Sequence, residues 1–168
     1  MRENQGKRFG KLPATDADRE VEGRPSRAAV LAFFEDSYGI DPETFAEFTF
    51  WERGAGKIWA FHADAPSPIA VEGLGLSLLR ARQEHWKLTT NGAQRFGHAA
   101  TKNVVHLSEE EATRFVRGED QAMPEWDGDW GYLIVSHDLA GESEPIGVGL
   151  YLHGELRSQI PKGRQREL

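Results

Sequence analysis

Residues 131–163 read GYLIVSHDLAGESEPIGVGLYLHGELRSQIPKG, and the peptide RQREL follows them directly. Two apolar runs, Tyr132–Val135 and Ile146–Leu152, have the composition of β-strands, and a long turn is expected between them. Gly147 and Gly149 fall inside the second run, where a backbone bends or lies close to another. This stretch therefore predicts a small β domain that ends in a cationic strand and tail.

The length of 168 residues corresponds to one domain, or to one domain with a small annex. No apolar run approaches the roughly 20 residues that a membrane span needs, and the polar N-terminus has no signal-peptide core. The chain contains no cysteine, which excludes disulfides, thiolate zinc sites and a cysteine nucleophile. We expect a cytoplasmic protein without a membrane partner.

The net charge of −7 argues against a nucleic acid as partner, but the charge is unevenly distributed. Residues 1–11 and 156–168 each carry a local charge of +3, which leaves −13 for the residues between them. Segregated charge steers a partner onto one face of a protein. We therefore expect RNA to contact the cationic regions, although short solvated basic ends would give the same pattern.

Lysine is scarce, with six lysines and fourteen arginines beside 27 acidic residues. This composition indicates a high-salt cytoplasm, where screening of phosphate contacts favours compact, well-placed arginines. An ordinary acidic protein would have a similar balance.

The chain is expected to have three parts. Residues 1–25 are polar and charged and predict a flexible arm. Residues 26–66 predict an annex, made of a helix that Ser26 caps and Gly39 ends, followed by a β-hairpin. Residues 67–168, after the break at Ala65-Pro66-Ser67-Pro68, predict the main domain.

The main domain alternates strands with two short helices. Strands are predicted over Ile69–Leu79, His85–Leu88 and Val104–Leu107, before the two strands of the terminal stretch. One helix, capped by Thr90 or Asn91, runs to Phe96, and Ser108 opens the other with a capping box. This order favours an α+β fold, a small mixed β pseudobarrel with short flanking helices, preceded by the helix and hairpin annex.

Catalytic and metal motifs are missing from the sequence. The six histidines have no pair at the helical spacing that aims two imidazoles at one ion, and neither a phosphate-binding loop nor a nucleophile elbow occurs. We therefore predict a protein without cofactor or metal that is not an enzyme.

The candidate RNA-binding residues are cations and one amide near predicted strand ends, since arginine and lysine bind phosphate and amides read base edges. They are Arg80, Arg82, Lys87, Lys102, Asn103, Arg157, Lys162 and Arg164. Five tryptophans, Trp51, Trp59, Trp86, Trp126 and Trp130, could stack on bases, although burial in the core is the more ordinary role of each.

Several motifs, in this order and spacing, resemble a PUA-like RNA-binding domain of the kind found at the C-terminus of Sun-type RNA cytosine-5 methyltransferases and in stand-alone archaeal relatives. The matching motifs are Gly73 and Gly75, Phe96-Gly97, Thr101-Lys102-Asn103, Leu107–Glu110, Arg117-Gly118-Glu119, Gly147–Leu150 and Ile160-Pro161-Lys162. The resemblance covers about residues 69–164.

The resemblance implies a pseudobarrel that docks structured RNA, typically tRNA or rRNA, and we expect a non-catalytic role in RNA modification or ribosome assembly. It does not imply methyl transfer, because that family's reaction uses a cysteine nucleophile and this chain has none. Two alternatives stay open. One is a pocket near Trp59 or Trp86 for a modified base or nucleotide, with or without hydrolysis. The other is a subunit whose acidic helix, Glu109–Asp120, holds a basic partner such as a catalytic RNA-modifying subunit.

Overall fold

The computed structural model describes residues 8–164, and the chain divides into two units, up to Lys87 and from Leu88 onward. The sequence placed a boundary earlier, at residues 65–68. The strand that follows this break, Leu76–Arg80, pairs antiparallel with Lys57–Phe61, so the sheet continues across it. Backbone pairing therefore makes residues 67–80 part of the first unit.

The first unit is a sheet with one helix. Its elements are β1 (Gly10–Lys11), α1 (Arg27–Tyr38), β2 (Thr49–Arg53), β3 (Lys57–Phe61) and β4 (Leu76–Arg80), and a two-residue strand, β5 (Lys87–Leu88), falls on the boundary. Strands β1 to β4 follow one another across the sheet in chain order. The predicted limits of α1 are confirmed, since Ser26 accepts a hydrogen bond from the Ala29 N–H at 3.0 Å and Gly39 is left-handed.

Residues 8–25 are packed onto this sheet, so the prediction of a flexible arm is wrong for them. Phe9 is fully buried, and its backbone exchanges hydrogen bonds of 2.8 and 3.0 Å with Ile69. Strand β1 then pairs with β2. The burial of Phe9 and Leu12, together with these backbone hydrogen bonds, fixes the segment. The basic residues Arg2 and Lys7 lie outside the described residues.

The strand predicted over Ile69–Leu79 is shorter, because β4 begins only at Leu76. Gly75, just before it, has a φ of 72°, and a Cβ atom there would lie 2.0 Å from the carbonyl oxygen of Ala60. The backbone therefore turns at Gly75 instead of continuing as a strand.

The second unit contains two short helices and a mixed sheet. Its elements are α2 (Thr90–Phe96), β6 (Val104–Leu107), α3 (Glu109–Val116), β7 (Gln121–Ala122), β8 (Gly131–Leu139), β9 (Glu142–Leu152) and β10 (Glu155–Ser158). The strand order is β6-β8-β9-β10-β7, with β6 and β8 parallel and the other pairs antiparallel. The predicted α+β fold with a PUA-like pseudobarrel and short flanking helices is confirmed.

The capping box of α3 is confirmed: Glu111 N–H donates to Ser108 Oγ at 3.2 Å, and Ser108 N–H donates to Glu111 Oε1 at 2.9 Å. Helix α2 is capped one residue earlier than predicted, because the hydroxyl of Thr89 accepts from the Gly92 N–H at 2.9 Å.

The long turn predicted between the two terminal runs is absent. Strand β8 extends to Leu139, β9 starts at Glu142, and only Ala140 and Gly141 connect them, both left-handed with φ of 52° and 84°. Two left-handed residues in a row form the tight turn that matches strand twist. The polar residues at the strand ends concealed the extension, because they point to solvent.

Candidate nucleic-acid interface

The Thr101-Lys102-Asn103 turn leads into β6 and is fixed by its last residue. Asn103 is left-handed, with a φ of 57°, a conformation that asparagine tolerates better than most residues. Its Nδ2 donates to Asp129 Oδ2 at 2.8 Å, and its Oδ1 accepts from the Asp129 N–H at 3.2 Å. Lys102 is exposed beside this anchor. The turn therefore presents an ammonium group from a rigid support, while the Asn103 amide is used internally.

A cavity of about 300 Å³ opens next to this turn. Its lining is mostly polar and comprises Gly97, His98, Ala100, Thr101, Lys102, Asn103, Val104, His106, Ser136, Ser143 and Pro145. Gly97 has no room for a side chain, because a Cβ atom would lie 2.8 Å from Pro145 and 3.2 Å from Ile134. The close approach of α2 to the β8–β9 hairpin thus closes one wall of the cavity.

Two histidines contribute polar groups to the cavity. His98 Nε2 lies 2.8 Å from Glu144 Oε2, and His106 Nδ1 lies 3.2 Å from Ser143 Oγ. Both rings are exposed, and each nitrogen can donate or accept depending on its tautomer. Within residues 8–164, no group of three or more histidine, aspartate or glutamate side chains is arranged to hold a metal ion. This arrangement suits hydrogen bonding to a polar ligand.

The cationic strand predicted at the end of the chain exists as β10. Arg157 is 42% exposed, and its Nε forms an ion pair with Glu155 Oε1 at 2.9 Å. The neighbouring Ser158 donates its hydroxyl hydrogen bond to the Phe115 carbonyl at 2.7 Å and so ties β10 to α3. Arg157 remains a candidate for phosphate contact, whereas Ser158 is structural.

Beyond β10 the chain turns along α2. Arg164 donates from its two terminal nitrogens to the side-chain oxygens of Asn91 at 3.0 Å and Gln94 at 3.2 Å. Both partners are neutral amides, so the guanidinium charge is not compensated by an acid in these contacts. Lys162 is exposed two residues earlier. Arg166 lies outside the described residues.

The other three predicted site residues belong to the first unit. Burial, and secondly the positive charge of Arg80, lower the pKa of Lys87, so these two cations are neighbours at the end of the sheet. Arg82 lies across Gly23 and Gly56 and donates to the carbonyl oxygen of Glu22 at 2.9 Å. Arg82 therefore holds this unit together, a use that its sequence position did not reveal.

Sequence reasoning missed the groups that form the cavity with Lys102. His98 lies in the short 3-10 turn after α2, and Ser136 and Ser143 lie in β8 and β9, so no spacing in the sequence brings them together. They meet because β6 runs parallel to β8 and α2 packs against β9. From the sequence, Trp130 is only one of five tryptophans that could stack on bases, with burial in the core as the more ordinary role.

Two family models match the chain. Residues 102–166 match the "Methyltransferase RsmF PUA domain", and residues 1–75 match a family of unknown function, DUF7122. The first match begins at Lys102, in the turn described above, and confirms that the second unit contains a PUA-like domain. The order and spacing of the motifs in the sequence predicted this domain.

Two curated proteins named "Ribosomal RNA small subunit methyltransferase F" are similar to the chain. The protein from Aeromonas salmonicida (strain A449) is 24% identical over 162 residues, which are 95% of this chain and 30% of that protein. The protein from Shewanella halifaxensis (strain HAW-EB4) is 26% identical over 137 residues, which are 79% of this chain and 26% of that protein. The chain thus spans less than a third of the length of these relatives.

In residues 8–164, no helix is long and apolar enough to cross a membrane.

Proposed function

We propose that this chain binds structured RNA, with rRNA as the first candidate and tRNA as the second, and acts in rRNA modification. The observation that carries the proposal is the position of Lys102, and of most residues that line the polar cavity beside it, inside the segment that matches the PUA domain. The names of both relatives refer to modification of ribosomal RNA, which indicates the process.

The chemistry of the second unit fits recognition of a folded RNA. Lys102, Arg157 and Lys162 are exposed or half-exposed cations that can bind phosphates. The cavity offers imidazole, hydroxyl and backbone groups, which can bond to base edges or to ribose 2′-hydroxyls. Lys102, the lysine that lines this small polar cavity, favours a nucleotide over an apolar ligand.

The proposed role is recognition without catalysis. Methyl transfer is an activity of the full-length relatives, whose remaining length has no counterpart here. A cysteine nucleophile would have to come from another chain or segment, because these 168 residues contain none. We therefore propose a catalytic RNA-modifying subunit as a partner and a cytoplasmic site of action.

Binding to purified rRNA and to total tRNA across a potassium chloride series tests this function. Each phosphate contact that is removed lowers the slope of log affinity against log salt by about one. The double variant R157A/K162A should therefore lower the slope by about two and weaken binding to all RNAs alike. The matched control is K57A, which removes an exposed lysine from the first unit.

An unchanged slope in R157A/K162A would show that β10 and the segment after it do not contact RNA. Wild-type protein that binds neither RNA at any salt concentration would overturn the proposed function. Competition by free nucleosides for the binding site would instead support the alternative of a small-ligand pocket, which the cavity of about 300 Å³ could accommodate.

A further inference from the structure

Trp130 is the most exposed of the large apolar side chains within residues 8–164. Its exposed fraction is 59%, whereas Trp51 is fully buried and Trp59, Trp86 and Trp126 are partly buried. Contact of an indole ring with water is unfavourable, and its free-energy cost grows with the exposed apolar area. Trp130 therefore offers an exposed aromatic face that a flat ring of a ligand could cover.

One contact of the Trp130 ring and the hydrogen bonds of the preceding residue fix the position of this side chain. The imidazole of His153 meets it edge to face, with ring centroids 4.9 Å apart and an angle of 70° between the planes. The preceding residue, Asp129, is fixed by the Asn103 side chain and by a 3.0 Å hydrogen bond from Trp126 Nε1 to its carbonyl oxygen. Trp130 is therefore preorganised without being covered.

Two left-handed residues lie at the same end of the sheet as Trp130. Asn103 and His153 have φ of 57° and 52°, and the described residues contain only one other left-handed residue that is not glycine, Ala140. Strand β8 starts just after Trp130, β9 ends just before His153, and β6 starts just after Asn103. Since β8 runs parallel to β6 and antiparallel to β9, all three positions lie at the same end of the sheet. His153 and Gly154, which has a φ of 79°, form the two-residue turn between β9 and β10, whereas the left-handed Asn103 is bound through its side chain to Asp129.

Charge around this end of the sheet is divided. Lys102 stands beside Asn103, whereas Glu125, Asp127 and Asp129 precede Trp130 in an exposed loop. A phosphate is attracted to Lys102 and repelled by the carboxylates. A nucleobase carries no net charge and can stack on the indole despite them. The charges thus orient a nucleotide with its phosphate toward Lys102 and its base over Trp130.

We propose that Trp130, supported by His153, is a stacking platform for an unpaired base of the bound RNA. The proposal rests on RNA binding as the function, and it narrows the target to an RNA with a single-stranded nucleotide beside its paired region. A base inside a duplex has both faces covered by its neighbours, so a fully paired RNA gains nothing from this platform.

The test compares two hairpin RNAs whose stems are closed by a flexible non-nucleotide linker, so that neither has unpaired loop bases; one carries a single-stranded pyrimidine tail and the other does not. W130A should weaken binding to the tailed hairpin roughly five- to 150-fold and leave the blunt hairpin unchanged, since stacking of one base contributes about that factor. W130F, which keeps an aromatic ring, should lie between wild type and W130A. The matched control is L139A at the opposite end of β8, an exposed apolar residue whose loss should change neither affinity.

Equal affinity of W130A and wild-type protein for the tailed hairpin would overturn the platform while leaving RNA binding intact. An equal loss on both hairpins would overturn it as well, because it would show that Trp130 supports the fold or contacts paired RNA. A tetra-arginine peptide serves as a second probe. Binding of that peptide that depends on Trp130, with unchanged RNA affinity, would assign the ring to a cationic protein partner instead.

Discussion

The two units of this protein use their charged side chains in opposite ways. In the first unit, Arg24 and Arg27 are turned inward, toward a buried carboxylate and toward backbone carbonyls. In the second unit, the core is apolar and the cations lie at the surface. The number of arginines in a sequence therefore says little about binding until the partner of each guanidinium is known.

The first unit is built around Glu52, whose side chain is fully buried in strand β2. Its Oε1 accepts from Arg24 Nε at 3.1 Å, and its Oε2 accepts from the Gly56 N–H at 2.9 Å. Arg27 similarly donates to the carbonyl oxygens of Phe48 at 2.6 Å and Phe45 at 2.8 Å. These contacts tie the helix, the hairpin and residues 8–25 together through charge.

The second unit is held instead by close apolar packing. Phe115, Leu156 and Ile160 pack against the β8–β9 hairpin. Gly147 and Gly149 allow this approach, since a Cβ atom at either position would come within 3 Å of a core side chain. In this unit the candidate cations Lys102, Arg157 and Lys162 are exposed or half-exposed, and Arg114 donates to the buried Gln121 at 3.1 Å.

The largest expected effect is on the buried charge of the first unit. Glu52→Ala leaves the guanidinium of Arg24 buried without its carboxylate, and we expect a loss of roughly 3–5 kcal/mol in unfolding free energy. Urea denaturation of the full chain measures this loss. Glu35→Ala, on the exposed side of α1, is the control and should change stability by no more than about 0.5 kcal/mol. A similar loss of unfolding free energy in both variants would show that the stability of the first unit does not depend on its buried charge.

A smaller effect is expected in the packing of the second unit. In Gly147→Ala the new methyl group would lie 2.7 Å from Ile160 Cδ1 and 3.2 Å from Phe115 Cε1, which should cost about 1–3 kcal/mol of unfolding free energy. Gly163→Ala meets no atom within 4 Å and should be nearly neutral. If denaturation curves of the two variants coincide, the second unit is not held by close backbone approach.

The smallest effect concerns a surface ion pair of the first unit. Hydrogen bonds from Lys11 and from the Ala65 N–H lower the pKa of Asp64. A carboxyl whose pKa is depressed by folding stabilises the protein above its unfolded pKa, and this contribution is lost as the pH falls through the folded pKa. Asp64→Asn should therefore lower the Tm slightly at neutral pH and not in strong acid. Thermal unfolding against pH measures this difference, and Lys11→Met should abolish the same pH-dependent component.

Local signals in the sequence predicted the helix ends well. Ser26, Gly39 and Ser108 act through bonds to residues three or four positions away, so their roles can be read without knowing the fold. Phe9 shows the limit of this reasoning. Its segment is polar in composition, and only the pairing with Ile69, far along the chain, gives the ring a place to be buried.

The sequence predicted only part of the candidate site, because local signals reveal only groups that are close together in the chain. Lys102 and Asn103 form one continuous turn, which the resemblance to PUA-like domains brought to attention. The cavity beside them is lined by residues from several separate segments, and the exposed Arg82 lies over the glycines at positions 23 and 56. Neither feature follows from residue type or spacing, because both depend on tertiary packing.

The parallel pair of β6 and β8 also has a consequence for folding kinetics. The hairpins β8–β9 and β9–β10 join neighbouring segments and can form early, whereas β6 must wait for a strand more than 20 residues away. The Asn103–Asp129 link spans the same gap, so the Lys102 turn and Trp130 come together only when this last pairing closes. If this end of the sheet binds RNA as proposed, the site is assembled late, and a partly folded second unit is not expected to retain RNA.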